Sequence, residues 1–171
     1  MTATTLRIVT WALCAVFLVA NTSPGNAQGN DARQIGDWRL ECKVLSGDKK
    51  VCALLQAVVN ADTGKRILSL QLRRVGSNNT LALIAEAPLG IFLGAGIAGK
   101  VDDGKQFSFL WQRCTQRGCQ AATAVDAELE SALKAGKRLL IGFKAQPSAD
   151  PITLGASLAG VTAGLKVLGN N

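Results

Sequence analysis

Polar and apolar residues alternate over long stretches of this chain. From 38 to 44, Trp38, Leu40, Cys42 and Val44 fall on one side and Arg39, Glu41 and Lys43 on the other. Period two is the pattern of a half-buried strand. A turn follows at Ser46, Gly47, Asp48 and Lys49, and residues 51–59 resume as a mostly apolar strand. The pattern returns at 67–74 with Leu68, Leu70 and Leu72, and again at Leu81, Leu83 and Ala85 before Pro88. Phe107, Phe109 and Trp111 line one face of a further strand, as do Leu139, Ile141 and Phe143. Turn-forming residues at 62–64, 76–79, 102–104 and 147–151 separate the runs.

Two segments change period. Asp126 is a good N-cap for a helix over 126–135, with Glu128 and Glu130 in its positive first turn, Lys134 in its last and Gly136 to stop it. Near the C-terminus, Leu158, Val161, Leu165 and Leu168 recur at helical spacing, with Ser157 placed to cap them. The expectation is a mainly β domain. An antiparallel β-sandwich or barrel-like sheet would carry one or two short helices.

The first residues do not fit this scheme. Arg7 precedes thirteen residues, Ile8 to Ala20, that are apolar apart from Thr10. A short polar stretch of small residues then ends at Ala27, with Gly25 at the −3 position. This is the layout of a secretory signal peptide cleaved after Ala27. At about 1.5 Å per residue the run is too short to span some 30 Å of hydrocarbon. One domain over 28–171 remains, exported to the periplasm or cell surface, with no later transmembrane segment.

Removing residues 1–27 takes away one of the five cysteines, Cys14. Four remain, an even number in an exported chain, which favours disulfides. Cys42 and Cys52 are symmetric about Gly47, and Cys114 and Cys119 about their own tip, so each pair can face across a hairpin. Two alternatives stay open. A zinc knuckle fits 114/119 but not 42/52. A redox site at 114/119 would have four residues between its cysteines, where thioredoxin-like sites have two.

The chain has no histidine and no tyrosine, which removes Ser-His-Asp triads, Cys-His dyads and imidazole metal sites. No cofactor is expected. Gly94, Gly96 and Gly99 match G-x-G-x-x-G, but a turn at 102–104 follows instead of a helix. These glycines are expected to let strands bend or cross closely. The net charge of +7 falls to +6 with the loss of Arg7, and it is scattered rather than run together. No nucleic-acid partner is expected. The expected cationic contacts are Lys49, Lys50, Arg113 and Arg117 at the hairpin tips, toward an acidic glycan or an envelope or host-surface protein.

Several fragments, in order, resemble one family. They are Gly36-Asp-Trp38-Arg-Leu-Glu-Cys42, Cys52-Ala-Leu-Leu-Gln56, Pro88-Leu-Gly90-Ile-Phe-Leu93, residues 96–102, the hairpin of Cys114, Gly118 and Cys119 with Ala121, and Ser157-Leu-Ala-Gly160. Together they are similar to the invasion-associated locus B family of exported alphaproteobacterial proteins. Val161 departs from the pattern, which often has an aromatic after that glycine. The resemblance implies a β-rich domain of the periplasm or outer envelope, and it brings no catalytic or ligand-binding residues with it. The expectation is therefore a non-catalytic binding module with a role in invasion or envelope maintenance. The alternatives are a thiol-disulfide or chaperone-like protein using Cys114 and Cys119, and a carboxylate glycan enzyme using Asp102 and Asp103.

Overall fold

The computed structural model describes residues 31–44 and 50–169. The expected signal segment, the 46–49 turn and the candidate Lys49 lie outside them. Eleven strands follow in order: β1 (Asp31–Ile35), β2 (Trp38–Val44), β3 (Lys50–Val59), β4 (Arg66–Val75), β5 (Thr80–Ala87), β6 (Ile97–Val101), β7 (Gln106–Phe109), β8 (Trp111–Thr115), β9 (Gly118–Ala124), β10 (Arg138–Phe143) and β11 (Ile152–Ser157). Among the described residues a 3-10 turn at Leu93–Ala95 precedes β6, and two helices, α1 (Ala127–Ala135) and α2 (Val161–Gly169), flank the last two strands. No helix of the described residues is long and apolar enough to cross a membrane.

All pairings are antiparallel, in a seven-stranded sheet ordered β1-β2-β3-β4-β5-β9-β8 and a four-stranded sheet ordered β11-β10-β6-β7. One core joins the inward rows of both. Leu68, Leu70 and Leu72 with Leu81 and Leu83 come from the large sheet, and Ile97, Leu139, Ile141 and Phe143 from the small one. This is a two-sheet sandwich, and the alternating runs supply its inner faces as expected. Val44 differs: at the hairpin end, beyond the core, it is 63% exposed.

The run Phe107–Phe109–Trp111 is not one strand. The chain changes sheet at Leu110, which is 71% exposed. Phe107 and Phe109 belong to the small sheet, where their rings stack at 6.0 Å, while Trp111 opens a strand of the large sheet and meets Phe143 edge-on at 6.1 Å. Alternation continues through the switch because both sheets face the same core. The glycine run behaves as expected: Gly99 lies opposite Phe107, whose ring occupies the space of a Cβ.

α1 follows its sequence signals, with the Asp126 carboxylate accepting from the Leu129 amide at 2.8 Å and Leu133 fully buried. α2 begins later than expected. Ser157 ends β11 instead of capping a helix, and its hydroxyl accepts from the Ala159 amide at 3.2 Å. The chain enters α2 through Gly160 at φ +100°, a conformation unfavourable for residues with a Cβ. Leu158, Val161, Leu165 and Leu168 are buried as their spacing predicted.

The β1–β2 turn and the β11–α2 turn cross each other. The Asp37 amide donates to Ala159 O at 2.9 Å. The Trp38 indole donates to Ser157 O at 2.8 Å, and the Gln56 amide donates to Asp37 O at 3.0 Å and Ser157 O at 3.2 Å. Gly36 at φ +60° and Gly160 lie back to back: a Cβ on Gly160 would strike Ile35 O, and one on Gly36 would strike Ala159 O. Both the backbone conformation and the lack of space require glycine here. We predict that Gly160→Ala destabilises the protein by about 3 kcal/mol or more, from left-handed strain plus overpacking against backbone. Urea unfolding measures this, and a loss below about 1 kcal/mol, the size of an ordinary substitution, would contradict it.

Candidate functional site

Four of the five cysteines form two disulfides, Cys42–Cys52 and Cys114–Cys119. In each, the cysteines are direct cross-strand partners, of β2 with β3 and of β8 with β9. Cys42, Cys52 and Cys119 are buried, while Cys114 on edge strand β8 is exposed. Among the described residues no group of three or more His, Cys, Asp or Glu side chains is placed to hold a metal ion.

The three expected cationic contacts among the described residues, Lys50, Arg113 and Arg117, do not form one surface. Ala53, Arg73, Ala82 and Ala124 are successive partners across β3, β4, β5 and β9. Lys50 lies three residues to one side of that row, and Gly118, next to Arg117, lies six to the other. Nine residues at about 3.3 Å each separate the two levels by about 30 Å. Lys50 thus belongs to one end of the large sheet, and Arg113 and Arg117 to the other.

At that second end, the register builds a site on the outer face of the large sheet. Leu55, Gln71, Ile84 and Ala122 form one cross-strand row, and Ser69, Glu86, Gln120 and Arg113 form the next. Arg113 Nε donates to Gln120 Oε1 at 3.2 Å. Arg66, at the start of β4, pairs with Glu86 through Nη2 and Oε1 at 3.3 Å. Gly118, at φ +143°, lies directly against Ala87 O and brings the hairpin tip onto the end of β5. Arg117 consequently borders the same ground as Arg66 and Glu86.

Two adjoining hollows share these three residues. One, of about 220 Å³, has Ile67, Leu68 and Pro88 in its wall; the other, of about 270 Å³, includes Leu55, Ser69, Gln71, Ile84 and Gln120. The resulting trough has two guanidiniums and one carboxylate. The Arg66–Glu86 pair offsets one positive charge, whereas the Arg117 guanidinium has no ion-pair or hydrogen-bond partner among the described residues. An anion is the complementary ligand, since a guanidinium presents a planar fork of donors to carboxylate or phosphate. Arg66 was not among the residues singled out from sequence. Its one sequence signal is opposite charge to Glu86, and that means something only once β4 and β5 are in register.

Asp102 and Asp103, the candidate carboxylate pair, have separate surroundings. Asp102, at φ +46°, accepts from the Lys137 amide at 2.9 Å and the Arg138 amide at 2.8 Å, fastening the α1–β10 link to the end of β6. The Lys137 amide first and the Arg138 amide second hold its pKa below the usual aspartate value. Asp103 is fully exposed, 3.8 Å from Lys100 Nζ. A pKa lowered by folding stabilises the protein above the unfolded value of about 3.9, and the contribution is lost as pH falls through the folded value. Asp102→Asn keeps tolerance of positive φ but removes the charge and one acceptor. We expect it to be less stable than the parent at neutral pH, with the gap narrowing as pH drops below about 4. Thermal unfolding across pH measures this, and a gap constant with pH would contradict it.

Comparison with known proteins places this architecture. A family model described as invasion associated locus B (IalB) protein matches residues 38–169. Invasion protein B homologues from two Brucella abortus strains, 2308 and 9-941, are each 29% identical over 154 residues, covering 90% of this chain and 87% of theirs. The crystal structure of invasion associated protein B from Bartonella henselae has the same fold, with a TM-score of 0.71 at 22% identity over 81% of this chain and 96% of that one. The matched segment runs from Trp38 to the end of α2 and takes in both disulfides, Trp38 and the Ala159–Gly160 turn, and the arginine trough, so the chain belongs to the invasion associated locus B family.

Proposed function

We propose that this protein is an exported, non-catalytic interaction module of the bacterial envelope that engages an anionic partner at the Cys114–Cys119 end of its large sheet. The observation that carries this reading is the unpaired Arg117 guanidinium. A disulfide-stapled hairpin holds it beside the Arg66–Glu86 pair over an open sheet face. A staple fixes the tip before binding, so less ordering entropy opposes the contact. Export is supported by the apolar leader at 8–20 and by two disulfides, which persist in oxidising compartments. The net positive charge favours encounter with an anionic surface.

A binding role rather than catalysis is supported by the lack of histidine and tyrosine and by Asp102, whose carboxylate is engaged by two backbone amides. The names of the relatives associate them with invasion, and a role for this chain at a host surface rests on that likeness alone.

Sedimentation of the purified chain with isolated envelope fragments tests the reading. Arg113→Glu combined with Arg117→Glu should weaken binding about tenfold and flatten its salt dependence, whereas Lys50→Glu at the other end should stay within about twofold. Equal binding by the double variant and the parent would overturn the assignment of the contact to this end.

A further inference from the structure

We infer that the arginine trough is a site for an acidic sugar, a ligand carrying hydroxyl groups together with a carboxylate or phosphate. This rests on the anionic contact proposed above and specifies its ligand.

The chemistry of the lining separates such a ligand from a plain anion. A site for a simple anion needs donors and little else. This trough also offers acceptors and mixed groups. The Ser69 hydroxyl and the Gln71 amide make no hydrogen bond among the described residues, and Gln120 uses its Oε1 on Arg113 while its amide nitrogen is uncommitted. Glu86 contacts Arg66 through Oε1, which leaves Oε2 to accept. A carboxylate in the middle of the trough opposes a ligand that is negative throughout, yet it receives sugar hydroxyls well, because an ionised oxygen strengthens the hydrogen bond. Arg117 at the margin then takes the acid group.

Shape agrees with chemistry. The two hollows join through Arg66, Glu86 and Arg117. On β4 the residues from Arg66 to Gln71 span about 16 Å at 3.3 Å per residue. That is longer than one sugar ring and suits a short run of linked rings. The wall combines those polar groups with the partly exposed Leu55 and Ile67, a place for the apolar C–H face of a ring. Ligand sites of this kind pair an apolar surface with a few oriented polar groups.

The acid group has two sources, a uronic acid or a sugar phosphate, and the experiment separates them. The disulfide-intact chain is titrated by calorimetry with oligogalacturonate, a phosphorylated hexose oligomer, a neutral galactose oligomer, and polyacrylate as a carboxylate chain without hydroxyls. We expect one or both acidic sugars to bind at least tenfold more tightly than the neutral oligomer and polyacrylate. The tighter of the two identifies the acid group. Ser69→Ala and Gln71→Ala should each weaken acidic-sugar binding about fivefold, the effect of one lost hydrogen bond, with an unchanged near-ultraviolet spectrum. Arg117→Gln should weaken it about tenfold. Polyacrylate binding as tightly as the sugars, with no effect of Ser69→Ala or Gln71→Ala, overturns the sugar assignment and leaves the anionic contact standing. Failure of every anion to bind overturns both.

Discussion

Where the Gly36–Asp37 turn meets the Ala159–Gly160 turn, two backbones touch with no side chain between them, and the rest of the sandwich is arranged around that contact. It ties the first hairpin of the large sheet to the last strand of the small one. Trp38 and Ser157, joined by a hydrogen bond, are 119 residues apart in sequence. The indole and Gln56 both donate to Ser157 O, so the carbonyl that ends β11 keeps two partners beside the core. Burying such a carbonyl without a partner would cost about 1–3 kcal/mol, and this pairing avoids it. α2 starts from the same crossing and lays Gly164 against Leu54 of β3, so the close approach of helix and sheet continues one turn further.

This closure has a consequence for function. The crossing, α2 and the small sheet all bury the inner face of the large sheet, where Trp38, Leu54, Leu70 and Leu83 are fully enclosed. The outer face lacks that cover over its polar positions, although Ile84 beneath them is buried. On it, Ser69, Gln71, Glu86 and Gln120 are intermediate in exposure and face open space between the arginines. The scaffold is thus rigid on one side and available on the other. The Cys114–Cys119 staple extends that rigidity to the tip that carries Arg117, at an edge strand that would otherwise fray.

Most of the large sheet was legible because its central strands are half-buried, and burial of one face imposes period two on the residues. The leucines of β4 and β5 and the apolar row of β10 stand out for that reason. β1 and β11 did not. DARQI is a polar edge strand with little to bury, and ITLGAS is made largely of small and exposed residues. The sheet switch at Leu110 was hidden because Phe109 and Trp111 face a common core from different sheets. Both disulfides were readable from spacing, since each joins direct neighbours across a hairpin. The trough was not readable, as its residues come from β3, β4, β5, β9 and the β8–β9 turn and meet only through register. The family markers were scattered along the chain, yet Gly36, Trp38, Gln56, Ser157 and Gly160 prove to be neighbours in space.

Hydrogen exchange followed by NMR on the disulfide-intact protein tests the central role of the turn crossing most directly. If the crossing holds the sandwich closed, the Trp38 indole proton and the Asp37 amide open only with the whole domain. They should then exchange as slowly as the central amides of β3, β4 and β5. Exchange at the rate of the exposed tip amides at 115–117, while the central strands stay protected, would show that the crossing opens on its own and would contradict this account.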